Sequence, residues 1–462
     1  MEERLPWKDE LHEECGVFGC FGVKNAAWAT RTGLLLLQHR GQQGCGIAAI
    51  GDDGTIRLHK KAGLVREVFS SEELSTLTGT AAIGHVRYPT TDVGGSENLQ
   101  PFKMKGRTGT FALAHNGNIV NADILRARIE AQGHLLRSTS DSELFALLIG
   151  MGKKGWTENI LTAVHQLDGA FSTVILTPDA LYACRDRYGL RPLTIGRLGD
   201  GYAVASETCA LRFLGAEIIR DVEPGELVRI DREGIRSFLH SRTADRLMCA
   251  MEYIYFARPD SDIEGCGVHG FRKRTGALLW EEHPVEADLV MCVPESGMSA
   301  AIGYAEASGL PLEMGLLKNM YVARTFIQPT QSLRDLGVRM KLSPVRSIVA
   351  GRRVVVIDDS IVRGTTSRQI VQLLRSTGAR EIHMRIASPV YGWPCFYGID
   401  TGTRDQLIGA RMDEDAIRAY IGADSLHYLS VEALSKAVGG RGLCTACFDG
   451  RYPSDLYGHE EA

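Results

Sequence analysis

A cysteine near the start of the chain is the first residue that could do covalent chemistry. Cys15 opens the run CGVFG and follows residues 1–14, which are rich in acids and contain no apolar core. This leader is therefore not a secretory signal. It is either a disordered tail, as polar termini usually are, or a propeptide whose removal makes Cys15 the first residue. In the second case the freed α-amine, which titrates near about 7.7–8.0, could act as base for the adjacent thiol.

Three further motifs could complete a site that hydrolyses an amide. AHNGN places Asn116 and Gly117 in a tight turn at a strand end, where a side-chain amide and a backbone N–H could face an oxyanion. GHVRYPT carries Arg87, which could grip a carboxylate, and STSDSE offers Asp141 as a counter-charge for an ammonium. Such a set would select an α-amino acid with a side-chain amide. Taken singly, Asn-Gly is most often a turn, a strand arginine a surface ion pair, and Asp141 a helix cap.

An acidic pair follows an apolar run in the second half. Val354–Ile357 predicts a buried strand, with Asp358 and Asp359 at its carboxyl end, where open α/β sheets bind ligands. A loop with Gly364 follows, and we expect a helix to begin around Ser367. Backbone N–H groups of such a loop bind anions, while the acids suit ribose hydroxyls and Mg²⁺. The run lacks the Gly-Lys-Ser/Thr ending of a P-loop, and acids at a sheet edge also occur in α/β proteins without this function.

The cysteines are too scattered to form a disulfide framework. There are eleven, an odd count, in a long chain without an export signal, which favours reduced thiols, metal ligands or a nucleophile. Cys444 and Cys447 form a C-x-x-C motif, whose spacing alone leaves zinc, redox and iron–sulfur roles open. Cys249 and Cys395 stand alone and would by themselves be buried apolar residues.

Composition limits the class of protein. The 462 residues are 44% hydrophobic and 23% charged, as expected for a globular protein of two or three domains. The net charge of −4 and the pI near 6.4 do not suggest binding to nucleic acid or to an anionic membrane. No apolar run approaches the roughly 20 residues of a membrane span. We therefore expect a cytoplasmic protein.

Two different patterns of predicted strands and helices, one in each half of the chain, predict two domains. Up to about residue 245, strand-like runs alternate with turns, and NADILRARIEAQG and SDSELFALLIGMG interrupt them as helices. Beyond it, EADLVMCVPESGMSAAIGYAEASG and GRRVVVIDDSIVRGTTSRQIVQLLRSTG each read as strand, loop and helix, which is typical of a parallel sheet. The predicted domains are 15–245 and 246–462, with the boundary uncertain by about ten residues.

The first domain resembles a known family. CGVFG, LQHRGQQGCG, GHVRYPT, ENLQPF, LAHNGNIVN, STSDSE, GLRPL and ASETCA occur in order and resemble the glutaminase domain of N-terminal-nucleophile amidotransferases, most of all amidophosphoribosyltransferases. The resemblance implies an α+β fold, an αββα sandwich, with residues 1–14 as a propeptide and Cys15 as the nucleophile. It further implies an oxyanion hole of Asn116 and Gly117 and a glutamine site of Arg87, His85 and Asp141. Gln43 stands where we expect an acid, which leaves the environment of Arg40 open.

The second domain resembles a type I phosphoribosyltransferase, an α/β fold with a parallel sheet. Its signature of apolar residues, two acids and a Gly-Thr-Thr loop implies binding of 5-phosphoribosyl-1-pyrophosphate. The residues implied in binding it are Asp358, Asp359, Ser360, Arg363, Gly364, Thr365, Thr366 and Lys318. By the same resemblance Ser296 in VPESGMSAA joins the acidic pair around Mg²⁺. The segment YVARTFIQPTQSLRD resembles the family's flexible loop that closes over the site, and Met320 stands where we expect a basic residue.

The cysteines also match the family. Cys249, Cys395, Cys444 and Cys447 resemble the ligands of the iron–sulfur branch, which implies a structural 4Fe–4S cluster that staples the C-terminal segment to the domain. The remaining cysteines read as structural: Cys20, Cys45, Cys184, Cys209, Cys266 and Cys292.

The resemblance implies one two-step enzyme. Glutamine is hydrolysed in the first domain, and the ammonia displaces pyrophosphate from 5-phosphoribosyl-1-pyrophosphate in the second, giving 5-phosphoribosylamine for purine synthesis. It also implies a homotetramer inhibited by purine nucleotides, with no nucleic-acid or membrane partner. The rival hypothesis is a regulator that kept the phosphoribosyl pocket as a nucleotide sensor, although a sensor would not need Cys15, Arg87, Asn116 and Asp141.

Overall fold

The computed structural model describes residues 15–51, 53–88, 96–241, 245–319 and 342–459. The leader over 1–14, Met320 and the loop segment 321–335 lie outside these residues. No helix in the described ranges is both long enough and apolar enough to span a bilayer.

The N-terminal domain contains thirteen of the strands that the structure describes. In chain order they are Gly16–Phe21 (β1), Gly44–Ile50 (β2), Ile56–Ala62 (β3), Ala81–Arg87 (β4), Phe102–Lys105 (β5), Thr110–Ile119 (β6), Gly169–Leu176 (β7), Leu181–Arg185 (β8), Thr194–Leu198 (β9), Gly201–Ala205 (β10), Glu217–Asp221 (β11), Glu226–Asp231 (β12) and Gly234–Leu239 (β13). The helices are Ala26–Leu36 (α1), Val65–Val68 (α2), Ser71–Thr76 (α3), Ala122–Ala131 (α4), Asp141–Met151 (α5), Trp156–Val164 (α6) and Thr208–Phe213 (α7).

These strands form two antiparallel sheets. One has the order β11-β9-β10-β1-β4-β2-β3, and the other β13-β12-β8-β7-β6-β5. Their inner faces share one apolar core, in which Val17 and Ile83 of the first sheet pack with Val174 and Leu181 of the second. Alternate residues of each strand therefore face this core, because successive side chains point to opposite sides of a sheet.

Helices cover the two outer faces. Leu34 of α1 and Leu211 of α7 are buried on the seven-stranded sheet, while Leu125 of α4, Phe145 of α5 and Ile160 of α6 are buried on the six-stranded sheet. The layers are thus helix, sheet, sheet and helix, which confirms the predicted αββα sandwich. Both helices predicted in this domain are present, as α4 and α5.

The described residues from 245 onward contain a second set of elements. Its strands are Met248–Cys249 (β14), Asp262–Ile263 (β15), Cys266–Gly267 (β16), Leu289–Cys292 (β17), Leu316–Lys318 (β18), Leu342–Pro344 (β19), Arg353–Asp358 (β20), Glu381–Ile386 (β21), Ser425–Tyr428 (β22) and Leu443–Cys444 (β23). Its helices are Val268–Glu282 (α8), Met298–Ser308 (α9), Arg346–Val349 (α10), Thr365–Thr377 (α11), Ile408–Arg411 (α12), Glu414–Ile421 (α13), Val431–Ala437 (α14) and Ala446–Asp449 (α15). A π-helical turn covers Glu252–Phe256.

A parallel sheet in the order β17-β20-β21-β22 is the centre of this domain. Val355 and Ile357 of β20 pack in the core that contains α8, α9 and α14, whereas Val354 and Val356 pack in the core that contains α11 and α13. A strand buried on both faces explains the continuous apolar run that the sequence shows. The predicted α/β class is confirmed.

Candidate active site

The Cys15 thiol lies at the start of β1 in a partly buried position. Its Sγ donates to the carbonyl oxygen of Tyr88 at 3.6 Å. Burial raises the pKa of the thiol, and the positive charges of Arg87 and Arg40 offset part of that rise. A thiol with a raised pKa is mostly protonated at neutral pH, so it needs a base before it can attack a carbonyl.

Asn116 and Gly117 lie within β6, and the prediction that they form a turn is wrong. They pair with Ser172 and Phe171 of β7, so the strand continues to Ile119. Asn-Gly favours turns because Gly tolerates positive φ, and here Gly117 adopts φ 142° without leaving the sheet. A Cβ on Gly117 would lie 2.0 Å from the carbonyl oxygen of Ala170, so only glycine fits.

The amide of Asn116 is buried without an acceptor. The side chain is 1% exposed, and its Nδ2 has no hydrogen-bond partner among the described residues. Leaving a buried donor unpaired costs about 1–3 kcal/mol, so such a group calls for an explanation. An oxygen that gains negative charge during a reaction would satisfy it.

His85 and Gln100 fix the residue before Asn116. Nε2 of His85 and Nε2 of Gln100 each lie 3.1 Å from the His115 carbonyl oxygen, and Gln100 Oε1 accepts from the His115 N–H at 2.7 Å. Burial, followed by the charge of Arg87, lowers the pKa of His85 to about 3, so its imidazole is neutral and can donate to this carbonyl. His85 is fully buried, and its described contact supports β6.

The environment of Arg87 and Arg40 differs from the expectation that the sequence gives. Gln43 Oε1 accepts from Arg87 Nη1 at 2.8 Å. The glutamine that stands in place of the expected acid therefore contacts Arg87 and not Arg40. Arg40 instead pairs with Glu207 at 2.7 Å and with Glu252 at 2.6 Å. The sequence linked Gln43 to Arg40 because the two residues are close in the chain. In the structure Gln43 lies beside Arg87, next to the point where β2 pairs with β4.

Asp141 is the first residue of α5, whose N-cap is Ser140. Its Oδ2 accepts from the Ile119 N–H at 2.9 Å, and its Oδ1 lies 3.7 Å from Nδ1 of His115. Burial alone would raise the pKa of Asp141, but His115 and the hydrogen bonds hold it below its ordinary value. The group is therefore a carboxylate at neutral pH, and its charge acts on the Cys15 thiol.

A buried ionic network joins the two domains beneath Cys15. Arg40 Nε donates to the Cys15 carbonyl oxygen at 3.2 Å, and Arg40 also binds Glu252 in the π-helical turn. Glu207 binds His39 Nε2 at 2.7 Å and accepts from the Arg258 N–H at 2.9 Å. Because His39 and Arg258 line the cavity described next, hydrogen bonds connect the nucleophile's backbone to that cavity.

The second candidate site is a cavity of about 870 Å³ at the carboxyl end of the parallel sheet. It is lined by most of the residues implied in binding the sugar phosphate and the metal: Ser296, Lys318, Asp358, Asp359, Ser360, Gly364 and Thr366. Arg363 and Thr365 are not among its lining residues. Thr365 is exposed at the start of α11, and the Arg363 Nη2 lies 3.5 Å from Oε1 of Gln406.

The acidic pair is buried at the floor of this cavity. Asp358 and Asp359 are 6% and 7% exposed, and Ser360 Oγ donates to Oδ2 of Asp359 at 2.6 Å. Burial and the neighbouring Asp359 raise the pKa of Asp358 well above its ordinary value. Two adjacent buried carboxylates repel each other, so a cation or a donor ligand would stabilise them.

Sequence reasoning missed several basic residues of the cavity. Arg272, Arg258 and His269 line it, although none of them lies in a motif quoted above, and His39 of LQHRGQQGCG also lines it without having been assigned a role. Arg272 is buried on α8, and the loss of solvent lowers its pKa to about 10, against the opposing charge of Asp359. A lone arginine within a helical pattern carries no signal that distinguishes it from a surface residue.

The structure brings Cys249, Cys395, Cys444 and Cys447 together. All four line one small, largely apolar cavity, and β14 pairs with β23 so that Cys249 lies opposite Cys444. The C-terminal segment is thereby held to the start of the domain. All eleven cysteines lie within the described residues and are free thiols.

The surroundings of these thiols disfavour the isolated thiolate form. Burial, followed by the charges of neighbouring cysteines, raises the pKa of Cys447 and Cys444, and burial raises that of Cys249 to about 11. The Tyr397 N–H donates to Sγ of Cys395 at 3.3 Å. Within the ranges described, no three His, Cys, Asp or Glu side chains form a group that could hold one metal ion.

Comparisons with known proteins agree with this geometry. Residues 85–213 match the family model of a glutamine amidotransferase domain. The amidophosphoribosyltransferase of Bacillus subtilis (strain 168) is 51% identical over 455 residues, covering 97% of this chain and 95% of the relative. That of Synechococcus elongatus is 48% identical and covers 96% and 92%.

Solved structures show the same similarity. The allosteric regulatory enzyme of purine biosynthesis matches with a TM-score of 0.92 and 51% identity, over 96% of this chain and 97% of the other. The B. subtilis glutamine phosphoribosylpyrophosphate amidotransferase complexed with ADP and GMP matches with a TM-score of 0.91 and 50% identity, over 96% and 99%. With such identity over nearly the whole length of its relatives, the chain belongs to the amidophosphoribosyltransferase family.

Proposed function

We propose that the two sites divide the family's reaction between them. The enzyme hydrolyses glutamine and transfers the ammonia to 5-phosphoribosyl-1-pyrophosphate, giving 5-phosphoribosylamine, glutamate and pyrophosphate, the first committed step of purine synthesis. Residues 15–245 form the glutaminase domain and residues 246–462 the phosphoribosyltransferase domain. The assignment of the first site rests on Asn116, whose buried Nδ2 has no hydrogen-bond partner among the described residues. Asn116 follows His115 in β6, and Nδ1 of His115 lies 3.7 Å from Oδ1 of Asp141.

In the first site Cys15 is the nucleophile. Removal of residues 1–14 exposes its amine, which takes the thiol proton as Sγ attacks the side-chain carbonyl carbon of glutamine. Asn116 Nδ2 and the Gly117 N–H stabilise the oxyanion, and the protonated amine gives its proton to the leaving nitrogen as the C–N bond breaks, which releases ammonia. Water then attacks the thioester carbonyl, the C–S bond breaks, and glutamate leaves as the Cys15 thiol re-forms.

Two charges orient glutamine in this site. Arg87 binds the α-carboxylate with its guanidinium, and Asp141 binds the α-ammonium. Both charges act on Cys15, which supports their placement around one substrate. His85 contributes through the strand that carries Asn116, because its Nε2 holds the His115 carbonyl.

In the second site the acidic pair and the loop after it bind the sugar phosphate. Asp358 and Asp359 hold the ribose hydroxyls, while Ser360, Gly364 and Thr366 bind the 5-phosphate at the N-terminus of α11. Lys318, whose Nζ lies 3.9 Å from Glu295 at the rim, neutralises pyrophosphate. Arg363 and Thr365 lie just outside the cavity wall and would reach a bound phosphate from the loop.

The donor set at the cavity floor suits Mg²⁺. Two buried carboxylates and the Ser296 hydroxyl are hard oxygen ligands, and burial together with the neighbouring Asp359 raises the pKa of Asp358, as expected for two carboxylates held close together. When bound, Mg²⁺ neutralises the departing pyrophosphate. The residues of the chain do the rest, because they orient the sugar and exclude water from its reacting carbon.

The four cysteines suit a 4Fe–4S cluster. Four thiols line one apolar cavity, and N–H donation to Cys395 Sγ is the kind of contact that tunes such clusters. A bound cluster supplies positive charge that stabilises the thiolates and ties β23 to β14. The role of the cluster is structural, because Cys249 and Cys444 lie on two strands that pair with each other, β14 and β23, and neither cysteine lines the phosphoribosyl cavity.

Anaerobically purified protein should be brown and contain about four iron atoms per chain. Cys447→Ser should lose iron and solubility, since assembly of the cluster is part of folding. Iron analysis and the visible absorption spectrum measure this, with Cys45→Ser, a buried cysteine outside the cavity, as matched control. A colourless, soluble, fully active preparation would contradict the assignment.

Replacing Asn116 tests the oxyanion site directly. Asn116→Asp keeps the shape but removes the donor, so glutamine-dependent turnover should fall about 10²–10³-fold. Ammonia-dependent synthesis should stay within about twofold of the wild type, because that reaction does not use the first site. Steady-state assays of glutamate and pyrophosphate release measure both, and retention of glutamine use by the variant would remove Asn116 from the mechanism.

The nucleotides bound to one solved relative point to the class of regulator. A B. subtilis relative is known in complex with ADP and GMP, which supports purine nucleotides as inhibitors of this enzyme. We further propose a cytoplasmic homotetramer without nucleic-acid or membrane partners. Membership of the amidophosphoribosyltransferase family favours catalysis over the rival nucleotide sensor. A coupled assay should accordingly detect release of both glutamate and pyrophosphate.

A further inference from the structure

A turn of the C-terminal domain touches the glycine of the oxyanion site. A Cβ built on Gly398 would lie 3.2 Å from the carbonyl carbon of Gly117 and 3.4 Å from its Cα. Gly398 has φ 114°, a conformation that favours glycine. The two glycines, from different domains, therefore approach so closely that a side chain on Gly398 would meet the backbone of Gly117.

Side chains of the N-terminal domain hold this turn in place. Asn118, the residue after Gly117, donates from Nδ2 to the Phe396 carbonyl oxygen at 2.9 Å. Arg191 Nη2 donates to the next carbonyl oxygen, that of Tyr397. Two successive carbonyls before Gly398 are thus bound by the domain whose oxyanion glycine the turn contacts.

A small apolar core spans the two domains at the same place. Val120, Ala170 and Leu190 of the N-terminal domain are buried with Tyr397 and Leu456 of the C-terminal domain. Ala170 is also the residue whose carbonyl closely approaches Gly117. The turn is therefore packed, as well as hydrogen-bonded, against the strands that carry the oxyanion site.

We propose that Asn118 and Gly398 are positioning residues for glutamine hydrolysis. Neither residue needs to touch glutamine, because both act through Gly117. A glycine at φ 142° has wide backbone freedom, and the contact with Gly398 and the bond from Asn118 restrict the direction of its N–H. An oxyanion site needs its donors preset to within about 0.5 Å. The inference rests on the proposed role of Asn116 and Gly117.

It follows that glutamine hydrolysis depends on the C-terminal domain through the contact between Gly398 and Gly117. This dependence is separate from the transfer of ammonia between the two sites. Gly398 is distant in sequence from the acidic pair, and it does not line the 870 Å³ cavity. Changes at the turn should therefore impair glutamine use selectively. The effect should be on kcat and not on KM for glutamine, because Arg87 and Asp141 would still bind the substrate.

Gly398→Ala is the first test. The added methyl group would lie 3.2 Å from the Gly117 carbonyl carbon and 3.2 Å from Arg191 Nη2, which binds the Tyr397 carbonyl oxygen. Both contacts disturb the support of Gly117, so glutamine-dependent kcat should fall at least about tenfold, since misplacing a catalytic group by about 1 Å can cost 10²-fold. KM for glutamine and ammonia-dependent synthesis should each stay within about twofold. The rate at which iodoacetamide alkylates Cys15 should not change, because that reaction uses no oxyanion donor.

Two further variants separate positioning from folding. Asn118→Asp keeps the size of the side chain but places a carboxylate oxygen, which cannot donate, opposite the Phe396 carbonyl oxygen. It should show the same selective loss of glutamine-dependent kcat. Gly234→Ala is the matched control, because Gly234 has φ 112° and its nearest atom to an added Cβ is 3.8 Å away. It should leave both activities unchanged. All proteins are first checked for an N-terminus at Cys15.

The outcomes are distinguishable. Wild-type glutamine turnover in both Gly398→Ala and Asn118→Asp, with Asn116→Asp inactive, overturns this inference and leaves the proposed function intact. Equal loss of glutamine and ammonia use, with slower alkylation of Cys15, also overturns it, because the turn then holds the fold. If Asn116→Asp itself keeps glutamine use, the oxyanion assignment fails first.

Discussion

Cys15→Ala is expected to abolish glutamine-dependent synthesis while ammonia-dependent synthesis continues at near wild-type rate. Without Sγ no thioester can form, and the remaining groups of the first site only bind glutamine. The phosphoribosyl cavity is lined mostly by the other domain and does not include Cys15. The expected loss exceeds the about 10²–10³-fold effect of removing one oxyanion donor, because the reacting atom itself is gone.

Parallel assays with glutamine and with ammonium chloride measure this. The matched control is Cys20→Ala, which removes a buried thiol from the same strand and should keep both activities. N-terminal sequencing accompanies the assays, and active wild-type enzyme should begin at Cys15. Active enzyme that still begins Met-Glu-Glu, or glutamine use by Cys15→Ala, would contradict the mechanism.

The double variant Asp358→Asn with Asp359→Asn is expected to end synthesis with either nitrogen donor. Both carboxylates would be lost as ligands for ribose and Mg²⁺, and we expect at least an about 100-fold decrease, as for loss of other electrostatic stabilisation. Glutamine hydrolysis measured without the sugar phosphate should persist at its basal rate. Near-normal ammonia-dependent turnover would mean that the pair is merely structural.

Thermal unfolding separates this loss from misfolding. The pKa of Asp358 is raised in the folded protein, so its contribution to stability is present at low pH and is lost as the pH rises through the folded-state pKa. Asparagine carries no charge and removes that loss. At neutral pH without metal, the single variant Asp358→Asn should therefore melt at or above the wild-type temperature, because it keeps the Asp359 carboxylate that offsets the charge of buried Arg272. Asp123→Asn, which changes an exposed acid on α4, serves as control.

Local sequence patterns predicted the elements whose residues are neighbours in the chain. Val354–Ile357 gave the buried strand because the strand is covered on both faces, although α11 begins at Thr365, two residues before the expected start. The turn predicted at Asn116 and Gly117 failed for a tertiary reason. Pairing with β7 overrode the local preference of Asn-Gly.

Contacts between distant residues could not be predicted in this way. Arg40 binds residues 167 and 212 positions away, and no local pattern links such partners. The four cysteines were grouped by family resemblance, since their spacing left several metals open. Closeness in the chain also gave the wrong partner for Gln43, because its side chain accepts a hydrogen bond from Arg87 and not from Arg40.

The position of Glu252 has a consequence for how such enzymes evolve. This one carboxylate belongs to the C-terminal domain, yet it pairs with Arg40 at 2.6 Å and lies 3.5 Å from Arg191, both fully buried in the N-terminal domain. Arg40 keeps Glu207 as a second partner, but a C-terminal domain that packed here without a carboxylate would leave the buried charge of Arg40 less well compensated. A domain exchange near residue 245 that preserved this interface would have to supply such a carboxylate in the same event. The glutaminase half of this chain is thus matched to its transferase half by charge.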